Sequence, residues 1–120
     1  MTQVIDLYKS LADRYKKRKK YFDDYLKYAK EIKRKSQALL KEPRVLVFGS
    51  VVKGNYAVNS DIDVLIIVEN IPESSLEQTK IKSEILQDFE DHPFELHLVT
   101  PNQYENWYKN FIKDDYIDIK

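Results

Sequence analysis

Val45-Leu46-Val47-Phe48-Gly49-Ser50, ten intervening residues, then Asp61-Ile62-Asp63-Val64-Leu65-Ile66-Ile67-Val68 is the stretch whose reading decides the fold. Val45–Phe48 is a short apolar run closed by a glycine, the pattern of a buried strand, and Val64–Val68 is a second such run continuing out of an acidic pair. Side chains alternate across a strand, so Asp61 and Asp63 are expected on one face with Ile62 on the other. Gly49 lets the backbone approach a phosphate closely, Ser50 offers a hydroxyl and an amide, Lys53 adds a mobile positive charge, and Gly54 loosens the turn that follows. The chain has two glycines, and both lie in this motif. Hard oxygen donors converging beside exposed backbone amides suit Mg²⁺ held against the phosphates of a nucleotide.

Working outward, Phe94-Glu95-Leu96-His97-Leu98-Val99 alternates apolar and polar with period two and reads as a third strand. Glu95 falls on the face opposite Phe94, Leu96 and Leu98, and His97 lies on the Glu95 face one pleat further on. If this strand neighbours the Asp strand, Glu95 is placed to complete a metal site with Asp61 and Asp63 and to take a proton from an attacking hydroxyl. His97 reads as a surface or hydrogen-bonded histidine, and His92, beside Pro93, as turn chemistry. Ser74 with Glu77, and Thr100 with Gln103, are capping boxes opening two further helices, and Pro101, next after Thr100, takes the first helical position of the second. The second helix carries Tyr104, Trp107, Tyr108 and Phe111 at packing intervals, and Tyr116–Ile119 is placed as an edge strand or a frayed tail.

Upstream, Val4 to Leu39 contains neither Gly nor Pro, and a seam spaced by fours and threes runs Val4, Tyr8, Leu11, Tyr15, Arg18, Phe22, Tyr25, Ala29, Ile32, Ser36, Leu39. About 36 helical residues would span ~54 Å, far beyond a compact body of this size, so the segment either projects or bends. The bend is expected near Arg14–Lys20 or at Asp23-Asp24. Residues 1–42 hold thirteen Lys/Arg against six Asp/Glu, a balance of +7, and residues 43–120 hold seven against fourteen, a balance of −7. The chain therefore divides into a basic N-terminal helical arm (1–42) and an acidic domain (43–120), with Pro43 stopping the helix. The run Arg14-Tyr15-Lys16-Lys17-Arg18-Lys19-Lys20 is a solvated helix face or, alternatively, a phosphate-contacting surface.

The absence of cysteine excludes disulfides and zinc–thiolate sites and suits a reducing, cytoplasmic setting. No apolar run approaches membrane-spanning length, and no signal-peptide pattern opens the chain.

Gly49-Ser50-x10-Asp61-x-Asp63 with Glu95 on a later strand resembles the DNA polymerase beta-like nucleotidyltransferase superfamily, and the small size is similar to its minimal prokaryotic members. The likeness covers roughly Arg44 to Val99. It implies an α+β fold, with a small mixed sheet of the polymerase beta palm type packed by helices and, here, a long N-terminal helix. It also implies that Gly49, Ser50 and Lys53 contact the triphosphate of an NTP, with ATP expected, and that Asp61, Asp63 and Glu95 ligate Mg²⁺ and carry the chemistry. Val51 and Val52 stand where many relatives are basic or aromatic, Lys53 where many have arginine, and Glu95 where aspartate is frequent. The resemblance further implies transfer of a nucleoside monophosphate to a hydroxyl, and a small all-helical HEPN-type partner in a toxin–antitoxin pair whose tyrosine is the acceptor. Self-association through the N-terminal helix is the other use of its seam. The rival readings are a non-catalytic, partner-binding antitoxin and a nucleic-acid-binding module built on the basic helix.

Overall fold

The computed structural model describes residues 2–120. The N-terminal segment forms two helices, α1 (Thr2–Asp23) and α2 (Tyr25–Leu39), and the break falls at Asp24, the second of the two places expected. Asp24 leaves helical geometry (φ −136°, ψ 43°), and its carbonyl accepts the amides of Lys27 and Tyr28 at 3.1 and 3.4 Å to start α2. Aspartate, which competes with the helical backbone for hydrogen bonds, suits such a joint.

Strand β1 (Arg44–Phe48) leads into the short helix α3 (Ser50–Lys53), then β2 (Ile62–Ile67), α4 (Ser75–Leu86) and β3 (Phe94–Val99). A helical segment follows, composed of α5 (Pro101–Gln103), a π-helical turn (Tyr104–Tyr108) and α6 (Lys109–Ile112), before β4 (Tyr116–Ile119) closes the chain. Both helices open at their expected caps, but only the second box is reciprocal: Ser74 Oγ accepts the Glu77 amide alone, whereas Thr100 and Gln103 exchange side-chain and backbone bonds at 2.9 and 3.2 Å. Helix α4 ends at Leu86.

The sheet order is β3-β2-β1-β4, with β1 antiparallel to β2 and β4, and β2 parallel to β3. The tail therefore pairs as an edge strand. Apart from Arg44 at the start of β1 and Asp63 in β2, both central strands are apolar, because both of their faces are covered. On one face Val45, Val47, Ile62, Val64, Ile66, Phe94, Leu96 and Leu98 pack with Tyr21, Phe22, Ala29, Ile32 and Ile85 from the helices. On the other, Leu46, Phe48, Leu65, Ile67 and Val99 pack beneath Tyr104 and Ile112.

The core thus reaches back across residue 42 into the segment read as an arm. Ala29, Ile32 and Ser36 of α2 are fully buried, with the Ser36 hydroxyl donating to the Ile32 carbonyl at 2.7 Å. The first half of the seam is different: Val4, Tyr8, Leu11 and Tyr15 are all more than half exposed on α1, as is Leu7 beside them. The long dimension of 54 Å, against 30 and 22 Å, reflects that projecting helix. Among the described residues no helix is long and apolar enough to cross a membrane.

Two predictions follow from the packing. Ile32→Ala should cost about 2–5 kcal/mol in urea unfolding, whereas Leu7→Ala, on the exposed stripe, should stay within about 0.5 kcal/mol. The second concerns His92, whose Nδ1 accepts the Phe94 amide at 3.0 Å. Burial, reinforced by the charge of Arg18, holds this imidazole below its ordinary value of 6.5. The unfolded chain takes up that proton at the ordinary value and the folded chain only at lower pH, so stability falls as pH drops from 6.5 through the folded value. His92→Asn, which keeps an acceptor without the titration, should show a shallower loss of urea midpoint between about pH 7.5 and 5.5 than the parent.

Candidate active site

The β1–β2 and β2–β3 registers bring three chemical groups to one end of the sheet. Asp63 is paired with Phe48 across β1 and with Glu95 across β3, and Leu65 is paired with His97. Neighbours in register share a sheet face, so Asp63, Glu95 and His97 project from the face capped further along by Tyr104 and Ile112. One ligand atom from each of the three lies within 4.8 Å of the others. His97 Nε2 stands 3.2 Å from Asp63 Oδ1, with both side chains about a quarter exposed.

Gly49 explains how Asp63 fits. Its φ is +89°, a region that L side chains rarely adopt, and a Cβ built on it would lie 2.7 Å from Asp63 Oδ2. The glycine thus does two jobs: it turns the chain from β1 into α3, and it leaves the space the carboxylate occupies. Within α3 the Gly49 carbonyl accepts the Val52 and Lys53 amides at 3.2 and 3.3 Å. The Ser50 and Val51 amides are left as first-turn donors, which no intrahelical carbonyl can reach. Ser50 is half-buried at this turn, Lys53 is exposed, and Gly54 closes it with a left-handed φ of +80°.

Asp61 is not in the cluster. β2 begins at Ile62, so Asp61 is an exposed residue of the loop immediately before the strand, outside the group formed by Asp63, Glu95 and His97. The third member of the group is His97, whose position on the Glu95 face was readable but whose nearness to Asp63 depends on the parallel β2–β3 pairing.

An aromatic wall stands beside the cluster and was not foreseen. The His97 ring lies 5.5 Å from Phe48 and 5.8 Å from Tyr108, and Phe111 reaches Tyr108 at 5.3 Å. Burial and the negative charge of Glu95 raise the Tyr108 phenol above its ordinary range, so it remains a neutral donor beside the acids. Phe111 and Trp107 stay largely exposed, so only part of the expected aromatic stripe is core. A cavity of about 460 Å³ lies at the opposite end of the sheet, between Arg44, Ile67 and Tyr104, away from this chemistry.

Two carboxylates and an imidazole are a donor set for a divalent cation. Carboxylate oxygens suit Mg²⁺ and Mn²⁺, and an imidazole in the first sphere tilts preference toward Mn²⁺ and later metals. If His97 instead holds Asp63 from outside the sphere, the oxygens alone present a harder site.

A four-stranded mixed sheet with a glycine-serine turn after the first strand and acids in register on the next two is the architecture of a nucleotidyltransferase domain. The model of the nucleotidyltransferase domain family matches residues 26–119, and the chain belongs to that family. It is 38% identical over 61 residues to a Methanocaldococcus jannaschii protein named as a protein adenylyltransferase, a match covering 49% of this chain and 62% of that protein. A crystal structure described as a nucleotidyltransferase superposes with TM-score 0.60 at 32% identity, covering 76% of this chain and 96% of its own. A Sulfolobus solfataricus crystal structure, at 22% identity and TM-score 0.55 over 85% of each chain, shares the fold.

The Gly49 geometry generates a direct test. Gly49→Ala should lower both thermal stability and divalent-metal affinity, because the new methyl displaces the Asp63 carboxylate. Gly54→Ala has the same backbone conflict but nothing within 4 Å of the new methyl, so it should cost stability and leave metal affinity near the parent's. Equal metal affinities in the two variants would mean the Asp63 seat is irrelevant.

Proposed function

We propose that this chain is a metal-dependent nucleotidyltransferase that moves a nucleoside monophosphate, with ATP as donor, to a hydroxyl on a protein. The observation that carries this reading is the Asp63 carboxylate seated against Gly49 and paired in register with Glu95. Support for a protein acceptor comes from the name of the Methanocaldococcus jannaschii relative.

Mg²⁺, when bound, neutralises the phosphate oxygens and the charge that develops as pyrophosphate departs. Asp63 and Glu95 are the proposed holders, with His97 orienting Asp63 and Asp61 joining from its turn when the nucleotide is in place. Gly49 and Ser50 would present backbone amides to the terminal phosphates, and exposed Lys53 would add a positive charge beside them. The acceptor oxygen forms a bond to the α-phosphorus as the bond from that phosphorus to the bridging oxygen of pyrophosphate breaks. The hydroxyl proton passes to Glu95, and pyrophosphate leaves with the electron pair.

The acceptor proposed is a tyrosine of a small helical HEPN-type partner in a toxin–antitoxin pair. The exposed row Val4, Leu7, Tyr8, Leu11 and Tyr15 on α1 is the docking element proposed for that partner, or for a second copy of this chain. A purely partner-binding role is the second reading, favoured by that same row. A nucleic-acid role has less support, because Lys17 is paired with Glu90 and Asp91 and Lys19 with Asp23.

The test is incubation of the protein with each labelled NTP and Mg²⁺, with and without a small helical partner protein. Label transfer from ATP should appear, and Asp63→Ala with Glu95→Ala should reduce it by more than the ~100-fold typical of losing an outer-sphere partner. Undiminished partner binding by a parent that transfers no label from any NTP would favour the second reading.

A further inference from the structure

The loop from Gly54 to Asp61 joins the glycine-serine turn to β2, and residues 55–57 within it have no regular structure. What fixes it comes from outside the sheet. Arg18, on α1, donates from Nε to the Val58 carbonyl at 2.9 Å and from a terminal nitrogen to the Ser60 carbonyl at 2.6 Å. Ser60 immediately precedes Asp61, and the second strand starts one residue later. One turn further along α1, the buried Phe22 ring stacks on Tyr56 at 4.8 Å and 10°, holding the other half of the same loop.

The neighbouring side chains grip the segment that feeds β3. The Tyr21 hydroxyl donates to the Glu90 carbonyl at 2.9 Å, and Lys17 Nζ lies 3.1 Å from Glu90 and 3.4 Å from Asp91. The two loops also meet each other, because the Ile62 amide donates to the Pro93 carbonyl at 2.8 Å.

We propose that Lys17–Phe22 of α1 is a strap that sets where β2 and β3 begin, and that Arg18 is the positioning residue that aligns Asp61 and Asp63 with Glu95. The inference rests on the transferase reading given above. It goes beyond the family likeness, since the matched segment begins at residue 26 and α1 lies before it.

The chemistry favours positioning over bulk stabilisation. Arg18 forms no ion pair among the described residues, and it spends its guanidinium on two neutral carbonyls two residues apart. A planar fork with fixed donor directions specifies the path of a backbone that has no ladder of its own. The same contact accounts for the one charged residue in the apolar seam: Arg18 stands at the seam position where α1 meets the loop. Displacement of a catalytic group by about 1 Å can cost ~100-fold in rate, so a loosened loop would register in turnover.

The experiment compares full-length Arg18→Ala, Arg18→Lys and Arg14→Ala with the parent by amide hydrogen exchange and by label transfer over a Mg²⁺ titration. Arg14 lies one turn earlier in the same basic run, and its replacement removes the same charge without touching the loop. Arg18→Ala should speed exchange in residues 55–61 at least ~10-fold while α2 and α4 exchange as in the parent. Its kcat should fall ~10-fold or more and its half-saturating Mg²⁺ should rise, with KM for ATP changing less than about twofold. Arg18→Lys, which keeps the charge but not the fork, should fall between, and Arg14→Ala should match the parent. Parent-like exchange at 55–61 in Arg18→Ala, or equal effects of Arg14→Ala and Arg18→Ala, would overturn the strap. Should the parent transfer no label from any NTP, the transferase reading fails, and the exchange comparison alone still decides whether Arg18 holds the loop. If Arg18→Ala does not fold, Arg18→Lys and Tyr56→Ala give the same exchange readout.

Discussion

A carboxylate occupying the space that a missing side chain leaves is the constraint on which the site depends. Asp63 Oδ2 lies 2.7 Å from where a Cβ on Gly49 would be, closer than a real Cβ tolerates, and the same glycine turns the chain at +89° into α3. Antiparallel pairing of β1 with β2 creates that juxtaposition, because Phe48, the residue before Gly49, is the register partner of Asp63. Parallel pairing of β2 with β3 then places Glu95 beside Asp63 on the same face. Sheet topology and acid chemistry are thus one arrangement. A shift of β2 by one residue would turn Asp63 into the apolar face and Ile62 out of it.

The burial pattern shows why the chain tolerates acids at that place. The face bearing Asp63 is covered by Tyr104 and Ile112 only over its further part, and the acids stand at the open end. The opposite face is closed by α1, α2 and α4 around Tyr21, Phe22, Ile32 and Ile85. A rigid two-sided core therefore supports a one-sided, solvent-accessible site. Hydrogen bonding from His97 and the ring of Tyr108 keep the acid cluster bounded on the side of the C-terminal helical segment.

Much of this could be read from residues alone, where the signal was local. The apolar runs at 45–48 and 64–68, the period-two alternation at 94–99, the two capping boxes and the glycine pair each express a short-range rule, and the corresponding elements form. What could not be read depends on where an element starts or on which strands pair. Asp61 looks like a strand residue beside Asp63, yet the strand begins at Ile62 and Asp61 stands in the loop before it. His97 gains its partner only through parallel pairing, and Phe48, Tyr108 and Phe111 become a wall only once the helical segment folds over the sheet. The N-terminal seam was visible as a helix, but not its division between a buried half around Ile32 and an exposed half around Leu7. Sequence periodicity reports that a face is apolar and is silent on what covers it.

The most direct measurement of the central claim is divalent-metal binding, read by Mn²⁺ paramagnetic resonance in the presence of a non-hydrolysable ATP analogue. One class of bound Mn²⁺ is expected in the parent, lost on Asp63→Asn and on Glu95→Gln, with Glu69→Gln, an acid at the far end of the same sheet, binding as the parent does. Bound Mn²⁺ unchanged in both site variants would contradict the account, since the ion would then be held somewhere other than between β2 and β3.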